Sequence, residues 1–317
     1  MPFINISDAD LKKSAQTYRK ELLMMPVIAA QETLQHMTPR PGLAGRSTIG
    51  QISGNIELGP YDPNRVDNTG VSITPRTLET FLGSVVKRFD VNEAAYTVWG
   101  ELMAQGQSLA SADIARQVLS YLAAQLGKKL NMAIFGGVRN AAGNTTADLF
   151  NGFDKITLDE ITATNISAAN GNYVQLASAI TSSNAVDTLK SIYAAASDEL
   201  QGQETKMFIT RAIYRAYCDD YQQSVGSVPY NTEYKKTYLE GSDGLCELVP
   251  LTSKKNSDYI HLTTKGNMFY GYGAGLADEN IAIEKYHEFL LSFVATMYFG
   301  VQFESVSPER LFVAELA

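Results

Sequence analysis

Histidine and cysteine most readily carry acid–base, nucleophilic or metal chemistry near neutral pH, and this 317-residue chain has three histidines and two cysteines. His36, His261 and His287 lie in no HExxH pattern and beside no cysteine pair, so a zinc site has little support. Cys218 and Cys246 are 28 residues apart, which fits neither a CxxC pair nor a disulfide framework and indicates a reducing compartment. We expect His261 and His287 to be structural and Cys218 to be a small buried residue.

Two polar loops are candidates for holding a phosphate or a cation. GGVRNAAGN (136–144) follows a helical pattern instead of opening a helix, and no GK[ST] comes after it, so it is interpreted as a helix stop and turn. DPNRVDN (62–68) lacks the fixed acidic offsets of an EF-hand, although a weak cation site there stays an alternative. A GxSxG elbow is also missing, so a hydrolase has no motif behind it. No cofactor or metal site is therefore predicted.

The longest predicted element is an amphipathic helix over residues 111–135, ended by Gly136 and Gly137. Its apolar face repeats every four residues, at Ile114, Val118, Leu122, Leu126, Leu130 and Ile134. At 1.5 Å per residue such a helix is about 37 Å long. We expect this face to press on the sheet of its own domain, so Leu122→Asp or Leu126→Asp should unfold the subunit.

A two-stranded arm is predicted before this helix. QISGNIEL (51–58) alternates strictly between polar and apolar residues, residues 59–76 are rich in turn formers, and residues 77–91 form a second β-branched and aromatic run. A ribbon of two strands is marginal in water without something to pack on. An arm of more than 40 residues, from Gly45 to Val91, is therefore expected to lie on a neighbouring subunit.

The N-terminal region, residues 7–37, has a helical pattern that Pro26 should break or kink. One face of it is basic, with Lys12, Lys13, Arg19 and Lys20. That face is either a solvated surface or a surface that meets nucleic acid, and the sequence leaves both open.

The rest of the chain alternates helix and strand after a polar region over residues 157–187. The pattern predicts a helix over 189–200, a strand over 206–210 and a further helix capped by Thr210. CELVPL (246–251) is a predicted strand. YIHLTT and MFYGY are predicted to form a hairpin around Lys265, Gly266 and Asn267. We expect a small α/β or α+β domain here.

The C-terminal region is predicted to be rich in strands. NIAIEKY, EFLLSFVATMYFGVQFE and RLFVAEL are apolar and β-branched runs, with a turn at Pro308 and Glu309 before the last one. The middle run has the length of a buried helix, but its Phe, Val, Tyr and Thr content favours one long strand.

The composition argues against a surface that binds nucleic acid over most of its area. It favours a surface that is largely buried against other copies of the chain. Charged residues make up only 19% of the chain, against roughly 25% in average soluble proteins, and the net charge is −8. Seventeen Tyr and thirteen Phe accompany this low charge, which is typical of extensive protein–protein contacts. The N-terminus has no signal-peptide pattern, and no run of 18 apolar residues predicts a membrane span.

The order of these parts resembles the major capsid protein of tailed bacteriophages, which has the Hong Kong 97-type fold. The stretches that carry the resemblance are AIFGGVRNAAGN, LFNGF, KMFITRAIYRAY and VQFESVSPERLFVAEL. ENIAIEKY and the residues that follow it look most like capsid proteins of phages that infect gut Bacteroidota. The resemblance covers nearly the whole chain and rests on the order and spacing of these stretches.

The resemblance implies an α+β fold in five segments. These are an N-terminal arm (1–41), an extended β-hairpin loop (42–95), a peripheral domain with the spine helix (96–184), an axial domain (185–280) and a return to the peripheral domain (281–317). Charged residues along or beside the extended loop are candidates for subunit contacts, namely Arg46, Glu57, Arg65, Arg76 and Arg88.

The resemblance also implies what the protein does and where. Many copies would form hexamers and pentamers of an icosahedral virion shell, assembled in the host cytoplasm and not catalytic. Partners would be packaged double-stranded DNA on the inner face, without sequence specificity, and portal, scaffolding and decoration proteins, with no membrane. Only about 40 residues precede the extended loop, so a separate scaffolding protein, or none, is expected in place of a cleaved N-terminal scaffold.

One departure from the family gives a direct prediction. Some members crosslink a lysine of the extended loop to an asparagine of a neighbour, but here no lysine lies between Lys20 and Lys87, so the tip of the arm has none. We therefore expect no covalent mesh between subunits. Boiling assembled protein in SDS should release monomers of 34.6 kDa; a ladder of covalent multimers on the gel would contradict the prediction.

Three other classes remain open at this point. An encapsulin, the shell of a cellular compartment, shares the fold and would hold enzyme cargo inside. An enzyme with an unrecognised site in the central domain predicts a stable monomer. A tail or adhesin protein predicts tubes or fibres instead of closed shells.

Overall fold

The computed structural model describes residues 30–54, 61, 71–90, 111–226, 237–274, 281–285 and 290–317. The helices within these ranges are α1 (Gln31–Leu34), α2 (Ser111–Gly136), α3 (Phe153–Thr162), α4 (Ala185–Ala194), α5 (Asp198–Gln201) and α6 (Arg211–Val225). The predicted helix over residues 7–37 is described only from residue 30, and its kink at Pro26 lies outside the described residues.

The strands fall into two five-stranded sheets and a ribbon. Those before α2 are β1 (Thr38–Pro41), β2 (Arg46–Gly54), β3 (Val71–Glu79) and β4 (Phe81–Asp90). Those after it are β5 (Tyr173–Gln175), β6 (Thr205–Thr210), β7 (Cys246–Leu251), β8 (Tyr259–Thr264), β9 (Met268–Ala274), β10 (Ile281–Lys285), β11 (Leu290–Phe303) and β12 (Leu311–Glu315).

Sheet one is organised around β11, the long strand predicted at the C-terminus. β4 pairs antiparallel with β11 from Phe81 to Asp90, while β10 and β9 pair with β11 as well, and β1 extends the sheet parallel to β9. Sheet two has the order β5–β12–β8–β6–β7. β12 comes from the predicted final segment and β9 from the predicted axial segment, so each sheet takes a strand from the other side of the predicted boundary at residue 280.

The predicted spine helix is confirmed, since α2 runs from Ser111 to Gly136. Its end is buried: Leu130, Ile134 and Phe135 join a core that also takes Phe153 from α3 and Phe303 from β11. α3 was not predicted, because the sequence pattern placed most of it in a polar region. A second core lies between sheet two and the helices α4 and α6, and includes the fully buried Tyr217 and Leu189.

The predicted arm needs two corrections. β3 begins at Val71, inside the segment predicted as turns, because pairing with β2 outweighs its turn-forming residues, and Pro75 is tolerated in a ribbon whose strands each have an open edge. The run 77–91 is not one strand of the arm. It breaks at Thr80, and β4 then pairs with β11 in the body of the protein.

The break at Thr80 has a clear physical cause. Thr80 is buried, its backbone N–H donates to the Gly45 carbonyl at 2.7 Å, and its hydroxyl accepts from the Gly45 N–H at 2.9 Å. The chain there crosses so close to β11 that a Cβ on Gly300 would lie 2.1 Å from the carbonyl oxygen of Glu79. The root of the arm is thus clamped to sheet one through backbone contacts.

The predicted hairpin of YIHLTT and MFYGY is wrong, because β8 belongs to sheet two and β9 to sheet one. The connection between them contains Asn267, which is fully buried. Its amide donates to the Thr263 hydroxyl at 3.0 Å and its carbonyl oxygen accepts from the Ser305 N–H at 2.8 Å. The bond from Ser305, which follows β11, holds the turn between the sheets and prevents a simple reversal.

The predicted helix over 189–200 is two helices. Ser197 interrupts it, because its hydroxyl accepts from the Leu200 N–H at 3.3 Å as the cap of α5 and donates to the Pro308 carbonyl at 2.9 Å. The predictions for 206–210, 246–251 and the Thr210 cap are confirmed, since the Thr210 hydroxyl accepts from the Ile213 N–H at 3.1 Å.

Candidate assembly surface

The ribbon formed by β2 and β3 is the main candidate surface for subunit contacts. The two strands pair antiparallel from Arg46 opposite Glu79 to Gly54 opposite Val71. Near the root, Ile49 and Leu78 pack on Phe269 of β9 in a small apolar cluster. The ribbon thus has an apolar anchor at its base.

Arg76 fixes the ribbon to the body by charge. Its Nη2 lies 2.6 Å from Oε1 of Glu160 on α3, and its Nε donates to the Phe303 carbonyl at 3.1 Å. The two charged side chains are only 13% and 16% exposed, so water screens the pair little. Arg76 was predicted as an interface residue, whereas the structure shows it engaged within its own chain; a role between subunits stays a prediction.

The other predicted interface residues are placed unevenly. Arg46 is 73% exposed and pairs with Glu79 across the ribbon at 2.8 Å, a surface pair of the kind that contributes at most about 1 kcal/mol. Arg88 lies exposed on β4. Glu57 and Arg65 lie outside the described residues, as does the alternative cation site at 62–68. Arg46 and Arg88 are therefore accessible on the free subunit.

The loop after the spine helix and sheet one line an open pocket of about 410 Å³. Leu126 and Leu130 line one side of it, and Asn140 and Asn144 of the predicted turn line another. The turn is held by its own hydrogen bonds, including Val138 N–H to the Ala147 carbonyl at 2.9 Å. The interpretation of this run as a helix stop and turn agrees with these bonds.

Three apolar side chains on β4 and α2 are exposed. Leu82 and Val86 of β4 are 51% and 58% exposed, and Tyr121 of α2 is 64% exposed. Exposed apolar groups of this size on an edge strand favour contact with another chain. They lie on the spine helix and on the strand that follows the ribbon.

The described end of the predicted N-terminal arm is attached to sheet two. Glu32 accepts from Arg211 Nη2 at 2.6 Å and from the Thr252 hydroxyl at 2.9 Å, and Thr33 bonds Ser253 at 2.8 Å. Burial opposes ionisation of Glu32, yet these donors lower its pKa. Residues 30–37 therefore have fixed contacts on the body.

The described residues considered for chemistry, His261, Cys246 and Cys218, are fully or partly buried. His261 is fully buried in β8, where burial and the neighbouring Lys254 keep its pKa well below the usual value. Burial raises the pKa of Cys246 to about 12 and also raises that of Cys218, which makes both thiols less reactive. Cys218 is half-buried rather than buried. His287 lies outside the described residues.

The described part of the chain contains no group of three or more histidine, cysteine or acidic side chains placed to hold a metal ion. Among its helices, none is long and apolar enough to cross a membrane.

A buried polar cluster around Lys254 was not predicted from the sequence. Lys254 follows β7, and its side chain contacts Ser257, His261 and Asp154. A lysine in a polar TSKKNSD stretch gives no sequence signal of burial.

No protein-family model matches the chain, and no curated protein matches it in sequence. Solved structures do match in fold. A chain of the procapsid of satellite phage P4, described with its size-determination (Sid) protein, has a TM-score of 0.57 at 13% identity, covering 92% of this chain and 90% of that one. A chain from the capsid of an empty GTA particle has a TM-score of 0.58 at 12% identity, covering 91% and 90%.

A third match comes from the holo-SrpI encapsulin complex of Synechococcus elongatus PCC 7942. Its TM-score is 0.51 at 13% identity, covering 89% of this chain and 85% of that one. At such low identity these likenesses establish the fold alone. The chain has the mixed helix-and-sheet fold of these shell proteins, the Hong Kong 97-type capsid fold.

Proposed function

We propose that this protein is the major capsid protein of a tailed bacteriophage and builds the icosahedral shell that encloses the genome. The observation that carries the proposal is the ribbon of β2 and β3, which is clamped at its root to a body with a capsid fold. A two-stranded ribbon gains little stability alone. Contact with neighbouring copies would supply the packing that it lacks.

The remaining parts fit the same role. α2 braces the body, the exposed Leu82, Val86 and Tyr121 offer apolar contact area, and the low charge suits large buried interfaces. We keep the predicted segment names in this proposal, for 1–41, 42–95, 96–184, 185–280 and 281–317. β9 of segment 185–280 lies in sheet one, and β12 of segment 281–317 lies in sheet two. The subunit is proposed to be structural and non-catalytic.

The proposed setting is a virion assembled in the host cytoplasm, in phages related to those of gut Bacteroidota. Partners would be further copies as hexamers and pentamers, a portal, scaffolding and decoration proteins, and packaged double-stranded DNA. The proposed DNA-facing surface is the basic face with Lys12, Lys13, Arg19 and Lys20. Phosphate binding needs clustered basic side chains, and the net charge of −8 means that the chain as a whole does not supply them.

The proposal is tested by electron microscopy of the purified full-length chain together with a ribbon-shortened variant. In the variant, two glycines join Gly50 directly to Pro75, which are partners in the ladder, so the anchors Ile49, Arg76 and Leu78 remain. We expect closed shells from the natural chain and soluble folded subunits without shells from the variant. A stable monomer of the natural chain at micromolar concentration would overturn the proposal.

An encapsulin is the second candidate, favoured by the fold match to the SrpI complex. The contents of the particles distinguish the two hypotheses. Particles isolated from the native source contain DNA and a portal vertex if the protein is a phage capsid, and protein cargo without a portal if it is an encapsulin.

A further inference from the structure

Lys254 has an unusual position for a lysine. It ends the short 3-10 turn Thr252–Lys254 after β7, and its side chain is fully buried. Its Nζ lies 4.2 Å from the centroid of the Phe135 ring, at the end of the spine helix. An ammonium group in such a place loses all contact with water, which is unfavourable unless its neighbours compensate.

Three groups surround that nitrogen. Ser257 Oγ and His261 Nδ1 each lie 2.9 Å from Nζ, within hydrogen-bond distance. Asp154 Oδ1 at the start of α3 lies 3.6 Å away, which is longer than a charged hydrogen bond. Oδ1 is buried and has no hydrogen-bond partner among the described residues. The carboxylate that faces the buried amine is therefore incompletely satisfied.

The walls of this site are aromatic. Phe135 and Phe153 pack with ring centroids 5.5 Å apart, and Phe153 and Phe303 with centroids 4.7 Å apart. Burial lowers the pKa of Lys254 to about 8, although the nearby carboxylate opposes the change. Burial also raises the pKa of Asp154, more than Lys254 and Ser257 lower it. Both shifts favour a neutral amine next to a neutral carboxylic acid.

We propose that Lys254 and Asp154 join in an isopeptide bond within the chain, between Nζ and Cγ. Nζ lies 3.6 Å from Oδ1 of the carboxyl group whose Cγ it would attack, and a reaction of this kind needs its reacting atoms within roughly 3–3.5 Å. Lys254 is fully buried, and Oδ1 of Asp154 is buried although the aspartate side chain is 17% exposed, so water has little access to the two facing atoms. The bond would replace two buried ionisable groups with one neutral amide.

The reaction balances without any further reagent. The neutral amine attacks Cγ of the protonated carboxyl group, forming the N–C bond. The C–O bond to the hydroxyl then breaks, and that hydroxyl leaves as water with a proton from the nitrogen. Amine and carboxylic acid are consumed, and one amide and one water are formed.

His261 is placed to move that proton as a catalytic residue. Its Nδ1 faces Lys254, while its Nε2 lies 2.9 Å from the Thr157 hydroxyl. With Nε2–H donating to Thr157, the free lone pair is on Nδ1, and the low pKa of His261 keeps the ring neutral. Nδ1 then accepts a proton from the amine and returns it to the leaving hydroxyl.

The test is intact-mass measurement of the denatured full-length protein. We expect the natural chain to be lighter than its sequence by one water, with a branched peptide that joins Lys254 to Asp154 after digestion. Lys254→Arg keeps a cation and should give the unmodified mass, as should Asp154→Ala. Asp154→Asn should instead lose one ammonia, because an amide can be attacked at the same carbon.

The natural chain alone decides the proposal if the variants fail to fold. A full unmodified mass in folded protein incubated at pH 8 overturns it, and so does a water loss that the digest places elsewhere. His261→Gln should leave a measurable unreacted fraction, whereas a structural role for His261 would not change the reacted fraction of folded protein. The readout is independent of shell assembly, and the bond links residues of one chain, so monomers are still expected in SDS.

Discussion

Leu130→Asp should leave no folded subunit and therefore no assembled particle. Leu130 is 3% exposed and lies in the core with Phe135, Phe153 and Phe303. Truncating a buried leucine costs about 2–5 kcal/mol, and a carboxylate without a partner adds several more. The sum matches most of the roughly 5–15 kcal/mol that stabilises a typical domain. Circular dichroism and solubility after expression measure the loss.

Lys129→Asp is the matched control for this substitution. It introduces the same side chain one position earlier, on the exposed face of the same helix, so the helix-propensity cost is equal. We expect the control to keep the fold, with a change in stability of about 0.5 kcal/mol or less. Equal behaviour of the two variants would mean that this face of α2 is not buried.

The structure also revises the variants suggested by the sequence pattern. Leu122 and Leu126 are half-buried, and Leu126 lines the pocket beside the loop. An aspartate there can reach that space, so Leu122→Asp and Leu126→Asp should destabilise less than Leu130→Asp. The helical period was right, but the depth of burial increases along α2 towards its end.

Arg76→Glu should detach the ribbon from the body. The substitution removes the ion pair with Glu160 and the hydrogen bond to the Phe303 carbonyl, and it places two carboxylates together. Breaking a largely buried pair by removing one partner costs about 3–5 kcal/mol. The midpoint of urea unfolding should fall accordingly, and shells should be lost because the ribbon no longer leaves the body at a fixed angle.

A charge swap distinguishes a contact within the chain from one between subunits. Glu160→Arg alone should also destabilise, and the double variant R76E/E160R should recover part of the stability of the isolated subunit. Recovery is partial, because the bond from Arg76 Nε to Phe303 cannot be remade by glutamate. If neither single variant changes the stability of the free subunit, Arg76 acts only between subunits.

Local patterns were sufficient for much of the fold. The period of four along residues 111–135 predicted α2, and the Thr210 cap and the run 246–251 predicted α6 and β7 within a residue. These signals depend on neighbours in sequence, such as one helix face, one cap or one alternating strand. They are therefore readable without the tertiary structure.

The local sequence pattern did not predict which sheet each strand joins. The same β-branched pattern suits the ribbon and sheet one, so only the clamp of Thr80 on Gly45 and the close approach at Gly300 separate β3 from β4. The bonds of Asn267 to Ser305 and Arg310, both distant in the chain, likewise send β8 and β9 into different sheets. Each decision depends on residues far apart in the chain.

The sequence by itself determined that this protein has a long spine helix, a two-stranded arm and a charge-poor surface, because periodicity and composition are local properties. Only the tertiary structure decided that Arg76 is held inside its own chain and that Lys254, Asp154 and His261 meet in one largely buried site. The reason is that burial comes from packing. Nothing in the letters TSKK shows that the first lysine lies under Phe135 while the next one is exposed.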